Sequence, residues 1–139
     1  MSALGPDFRF SVYNGTGQTI ASGGITVKYR GWKYANDASV TFDGSATVPL
    51  NLGTTPASPT TLVNIAYLNS AAIDNSVAKL IGATIEFTVN APASANGDVI
   101  LYIERSLDDG TTFPDNGLGQ VIAILNFTTS GVKRRIVHL

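Results

Sequence analysis

An all-β fold is what this sequence predicts, an antiparallel β-sandwich or jelly-roll-like domain of about eight strands with at most one short helix. Three observations predict it. Short runs such as Phe8–Tyr13, Ile25–Arg30 and Thr84–Val89 alternate apolar and polar residues with period two, the signature of half-buried strands. Turn-forming residues recur roughly every 8–15 positions. Finally, three apolar-rich runs, Thr84–Val89 (TIEFTV), Val99–Arg105 (VILYIER) and Val121–Phe127 (VIAILNF), are separated only by the polar, glycine-containing connections APASANGD and SLDDGTTFPDNGLG.

In chain order, Met1–Asp7 carries Gly5 and Pro6 and reads as an N-terminal arm, frayed or laid on a neighbour, ahead of a single domain over 8–139. Phe8–Tyr13 puts Phe8, Phe10 and Val12 on one face. Ile25–Arg30 puts Ile25, Val27 and Tyr29 on one face, and Trp32–Tyr34 continues it past a bulge at Gly31. Ser39–Phe42 and Ala46–Leu52 flank Asp43-Gly44, a dipeptide suited to a tight hairpin. Pro49 cannot donate to a ladder, so the second of these runs is an edge strand or a break. GTTPASPTT, Gly53–Thr61, is the most loop-like segment, and Leu62–Leu68 is the next strand. Ala71–Ile81 has Ile73, Val77 and Leu80 or Ile81 at near-helical spacing with Ser70 as a cap, yet Asp74, Asn75 and Ser76 compete for the backbone, so a helix and an irregular turn both remain open. Ile85, Phe87 and Val89 should face inward with Glu86 and Thr88 outward; Val132–Leu139 is the last strand.

Composition bounds the function. The 139 residues are enough to bury a core without staples, and the lack of cysteine excludes disulfides, thiolate metal sites and cysteine nucleophiles. Charged residues are 14% of the chain against about 25% in ordinary domains, which suggests a surface covered by other chains or one kept soluble by Ser, Thr and Asn. A net charge of −1 offers no basic footprint for nucleic acid. MSALGPDFRF lacks a basic segment followed by an apolar one, and no apolar run approaches the roughly 20 residues of a membrane span, so neither secretion nor a membrane partner is expected.

Several clusters can carry chemistry. Asp108, Asp109 and Asp115 with Asn116 and Gly117 supply the oxygens a calcium ion needs, but Asp, Asn and Gly also form solvated turns, and turn is the preferred reading. His138 has no second histidine and no serine motif. Glu86 and Glu104, both placed on outward strand faces, would imitate a glycosidase pair only if they shared a cleft. Tyr29, Trp32 and Tyr34 form the densest aromatic cluster, a platform for a sugar ring or simply core and rim. VILYIE and VIAILNF are apolar on both faces, so Ile100, Tyr102, Ile122 and Ile124 are candidate partner contacts. Lys133, Arg134 and Arg135 are the one basic run, a solvated strand end or a match for an acidic protein surface.

Two stretches, SAAIDNSVAKLIGATIEFTV (Ser70–Val89) and GDVILYIERSLDDGTTFPD (Gly97–Asp115), resemble a loosely defined group of small virion structural proteins of tailed bacteriophages. In that group an "aiDNS" turn precedes a strand, and a strand ending in an S-x-D-G-x-x-aromatic loop follows; here the loop is Ser106, Asp108, Asp109, Gly110 and Phe113, one residue longer than the shortest form. The resemblance covers about a third of the chain, all in its second half. It implies a non-enzymatic, cofactor-free virion protein made in the host cytoplasm, a homo-oligomer bound to the major capsid protein or a tail component. Capsid decoration, or cementing, is the leading expectation. The alternative is a carbohydrate-binding module or component of a tail or fibre appendage.

Overall fold

The computed structural model describes residues 4–44, 46–48, 50, 51, 61–106 and 108–139. Among them the chain is all β, with eleven strands in two antiparallel sheets and no helix. The first sheet is built around β1 (Asp7–Asn14), whose alternation points Phe8, Phe10 and Val12 inward, all fully buried. β9 (Gly97–Ser106) pairs with all of it, from Asp7↔Ser106 to Asn14↔Val99. Along the other side of β1 lie β6 (Ala66–Ser70) and β7 (Ile73–Asp74), end to end. β10 (Gln120–Phe127) borders β9, and β5 (Leu50–Asn51) borders β6.

The second sheet is β11 (Gly131–His138), β8 (Gly82–Ala91) and β2 (Ile25–Tyr34), with β3 (Val40–Phe42) and β4 (Ala46–Val48) on the far side of β2. Between the sheets, Val27, Ile85, Phe87 and Val89 meet Phe8, Phe10, Leu101, Ile103, Leu125 and Phe127 in one buried core. The Tyr29 ring links the layers, its centroid 6.0 Å from that of Phe8 and 6.1 Å from that of Phe10. The pair with Phe8 is edge-to-face, an arrangement that adds about 0.5–1.5 kcal/mol beyond its buried area.

Several expectations are corrected. β2 keeps one register with β8 from Ile25↔Val89 to Trp32↔Gly82, so Gly31 is not a bulge; a Cβ there would strike the Leu80 side chain, and the glycine is a matter of space. Asp43-Gly44 is not a hairpin turn either. β3 and β4 both pair with β2, and the register slips by one residue between Trp32↔Phe42 and Tyr29↔Ala46, making them two pieces of one interrupted edge. Pro49 and nearly all of Gly53–Thr61 lie outside the described residues, but β4 and β5 on either side of Pro49 are edge strands, in different sheets. Leu62 makes only an isolated bridge to Ile20, and the strand begins at Ala66 after Ile65 takes a positive φ of 58°. The described part of the arm is not loose: Leu4 is fully buried in the core, and Asp7 already belongs to β1.

Residues 71–81 are the clearest case of side chains overruling a helix. The buried Asn75 donates from Nδ2 to the carbonyls of Gly5 (2.8 Å) and Leu80 (2.9 Å) and accepts from the Leu80 amide (2.8 Å). Asp74 accepts from the Ser76 amide at 2.7 Å. Ser70 does not cap; its hydroxyl accepts from the Phe10 amide (3.0 Å) and donates to Ala71 (2.9 Å). These local bonds compete with the helical ladder and win. Asn75→Ala should therefore lower the unfolding free energy by roughly 2–4 kcal/mol, because it strands buried backbone groups costing about 1–3 kcal/mol each; urea titration with an unchanged m value is the check.

Candidate functional site

The two outer faces of the sandwich differ. On the first sheet, Arg9, Ser11 and Tyr13 of β1 stand outward beside Glu104, Tyr102 and Ile100 of β9. The loop over 108–119 lies across them. Its Phe113 ring sits 4.5 Å from the Arg9 guanidinium, and Asn116 accepts from Asn69 Nδ2 at 3.2 Å. Beneath it Arg9 Nε donates to Glu104 Oε2 at 2.6 Å, with Glu104 only 1% exposed. Tyr13, Tyr67 and Tyr102 form a row with centroid separations of 5.0 and 6.2 Å. Asp7 Oδ2, Ser11 Oγ, Asn69 Oδ1 and Glu104 Oε1 are buried there without a partner among the described residues.

This layering answers the question posed by the two-faced strands. Tyr102 is 7% exposed because the chain's own tyrosines cover it, so it is not a free partner contact. Ile100 and Ile122 are half-buried, Ile122 packing on the core at the β10 bulge, and Ile124 is exposed. Asp108 serves the loop itself: its Oδ1 accepts from the Ser106 hydroxyl (2.7 Å) and the Thr112 amide (2.6 Å). Among the described residues no three His, Cys, Asp or Glu side chains are grouped to hold a metal ion.

Glu86 and Glu104 do not form a pair. Glu86 faces outward from the second sheet, 3.5 Å from Arg134, and Glu104 is buried under the loop on the opposite side. His138 Nδ1 meets the Thr84 hydroxyl at 3.0 Å. The basic run is split by strand alternation. Lys133 turns toward β10, its Nζ donating to the Asn126 carbonyl and lying 5.4 Å from the Phe127 ring, while Arg134 points to the other side and Arg135 is exposed.

The outer face of the second sheet is open. The aromatic trio separates: Tyr29 packs inward on the core, whereas Trp32 and Tyr34 stand outward, 5.7 Å apart and nearly perpendicular. Register places Phe42 opposite Trp32 and Val40 opposite Tyr34. The Arg30 guanidinium lies 5.0 Å from the Phe42 ring, and a shallow groove runs from Phe42 past Thr84 and Glu86 to Ile136. Tyr34, Val40, Phe42 and Ile136 are each about half exposed. Sequence reading missed Val40 and Phe42, which only the strand register brings to Tyr34 and Trp32, and Ile136, which lies at the far end of the groove from Phe42.

Two carboxylates under and within the loop titrate in opposite senses. Burial raises Asp7, helped by the charges of Asp109 and Asp74, so its ionisation opposes folding; Asp7→Asn should raise the melting temperature at pH 7, with the gain fading as pH falls into the carboxylate range. Hydrogen bonds from Thr112 and Ser106 hold Asp108 down at about 2, so its support is present above the ordinary value of 3.8 and is lost as pH falls through about 2. Proteolytic nicking within 108–119 should rise over that interval in the parent protein, and Asp108→Asn should remove the pH dependence.

No family model, no curated protein and no solved structure matches this chain, and these comparisons leave the likeness of Ser70–Val89 and Gly97–Asp115 to phage virion proteins without further support.

Proposed function

We propose that this chain is a non-enzymatic structural protein of a tailed-bacteriophage virion, a decoration or cement protein that binds the capsid surface or another virion protein as an oligomer. One observation carries the reading: Tyr34, Val40 and Phe42 stand half exposed beside Trp32 on a single open sheet face. Contiguous apolar surface of this kind marks contact sites more often than free surface. The other outer face is covered over β1 and the end of β9 by the 108–119 loop, which leaves Val121 and Ile124 of β10 exposed. Burying the open face against a shell would act mechanically, adding apolar contact across subunit junctions. The motif likeness of the second half supplies the virion context.

The wild-type chain should sediment as an oligomer and co-sediment with particles of the phage that encodes it. Tyr34→Ser with Phe42→Ser should weaken that attachment at least tenfold while leaving the chain folded, at a stability cost of about 1–2 kcal/mol for the lost Trp32 ring pair and Arg30 cation–π contact. A chain that stays monomeric and remains in the supernatant defeats the proposal.

A second reading has its own observation, the half-buried Trp32 and the exposed Tyr34 beside Phe42, which offer aromatic faces to a sugar. Their perpendicular setting gives an angled ledge rather than a flat platform. Binding on a glycan array that disappears with Trp32→Ala and survives Tyr29→Phe would favour this reading over the first.

A further inference from the structure

Among the described residues the sandwich has several exposed strand edges, and all but one are short or interrupted. β5 and β7 have two residues each. β3 and β4 have three each and are separated by a register slip. β10 carries an irregularity between Val121 and Ala123. Short, bulged or broken edges are how sheets avoid pairing with other chains. β11 has none of these devices among the described residues: its eight residues run in unbroken register with β8, from Gly131↔Ala91 to His138↔Thr84, and nearly all are exposed.

The direction of its free hydrogen-bonding groups follows from the register. Leu139 and Ala83 exchange both backbone bonds, 2.9 and 3.2 Å. In an antiparallel ladder bonded pairs alternate with non-bonded ones, so Val137, Arg135 and Lys133 also bond to β8. The amides and carbonyls of Val132, Arg134, Ile136 and His138 then point away from the sheet, a row able to accept another strand.

Charge and alternation say what kind of strand. Lys133, Arg134 and Arg135 lie at the centre of the edge. A second copy paired antiparallel over the full strand would set these cations opposite one another, which is destabilising. On the outer side Val132 and Ile136 flank Arg134 and are 66% and 51% exposed. We infer that the β11 edge docks an extended acidic segment of another protein by strand addition, its carboxylates opposite Lys133 and Arg135 and its apolar side chains over Val132 and Ile136. The inference rests on the reading of this chain as an assembly protein and adds to it the partner's chemistry and the edge used.

The probe is a fluorescein-labelled octapeptide alternating Val and Glu, titrated into the full chain by fluorescence anisotropy, with a Val and Lys octapeptide as its counterpart. The acidic peptide should bind at least tenfold more tightly, and amide exchange at Val132, Arg134, Ile136 and His138 should slow on binding. Ile136→Pro removes only an outward amide, which an edge tolerates; it should weaken binding at least tenfold, while Ile136→Thr, which keeps the amide, should stay within threefold. Equal affinity for the two peptides, undiminished binding by a folded Ile136→Pro, or slowed exchange on β3, β4 or β10 instead would each overturn the inference. Should Ile136→Pro fail to fold, the exchange pattern of the wild-type chain decides alone. Peptide docking at β11 in a chain that does not attach to particles would keep the edge and discard the virion role.

Discussion

The pairing of β1 with β9 is the constraint on which the other parts of the molecule depend. It joins residues about ninety positions apart, in register over the whole of β1, from Asp7↔Ser106 to Asn14↔Val99. Because side chains alternate with period two, a slip of one residue in either strand would carry Phe8, Phe10 and Val12 out of the core and bring Arg9, Ser11 and Tyr13 into it. The same ladder sets the opposite face, since it is what places Arg9 directly across from Glu104. β2 with β8 repeats the plan in the second sheet, again joining early and late chain. Such long closures must form before they are rewarded, which makes slow folding the natural consequence of this topology.

The Arg9–Glu104 pair turns one side of the sandwich into a three-layered structure. A buried ion pair contributes little net stability, because desolvation offsets most of the attraction, yet removing one partner costs about 3–5 kcal/mol by leaving the other charge stranded. The guanidinium also carries the Phe113 ring, so one side chain ties the sheet to the loop above it. Close approach is part of the same design: a Cβ on Gly117 would lie 2.6 Å from the Tyr67 hydroxyl, and one on Gly119 would lie 2.7 Å from Glu104 Cγ. The loop can come down on the sheet only because glycines stand at these two points.

Much of the fold was legible because burial on one face writes itself into alternation: Phe8–Phe10–Val12 and Ile85–Phe87–Val89 point inward as their spacing predicts. What could not be read was anything set by tertiary neighbours. The apolar outer side of β9 looked like a surface for a partner, but Tyr102 is covered by Tyr67 and by the loop that follows β9 in the chain. Asn75 looked like a weak helix residue and is a hub of backbone bonds to the first turn of chain, including Gly5. Tyr29, Trp32 and Tyr34 are near in sequence, yet three residues along a strand is an odd step and sends Tyr29 to the other face. Conversely Phe42 reaches Trp32 through register alone, which no single-chain pattern encodes.

Taken together, the faces and edges divide the surface by how each is protected. The first sheet's outer face is partly covered by the loop, and its edges are short or irregular. The second sheet has an open face, apolar around Trp32, Tyr34, Val40 and Phe42 and charged beyond, and, at β11, an intact edge, with Val132 and Ile136 belonging to both face and edge. A chain in which 14% of residues are charged has few means of keeping such surface apart from its neighbours by repulsion. What charge there is includes three adjacent cations on the intact edge, where they discourage pairing with an identical strand while remaining attractive to an acidic one. Specificity and solubility are thus served by the same three residues.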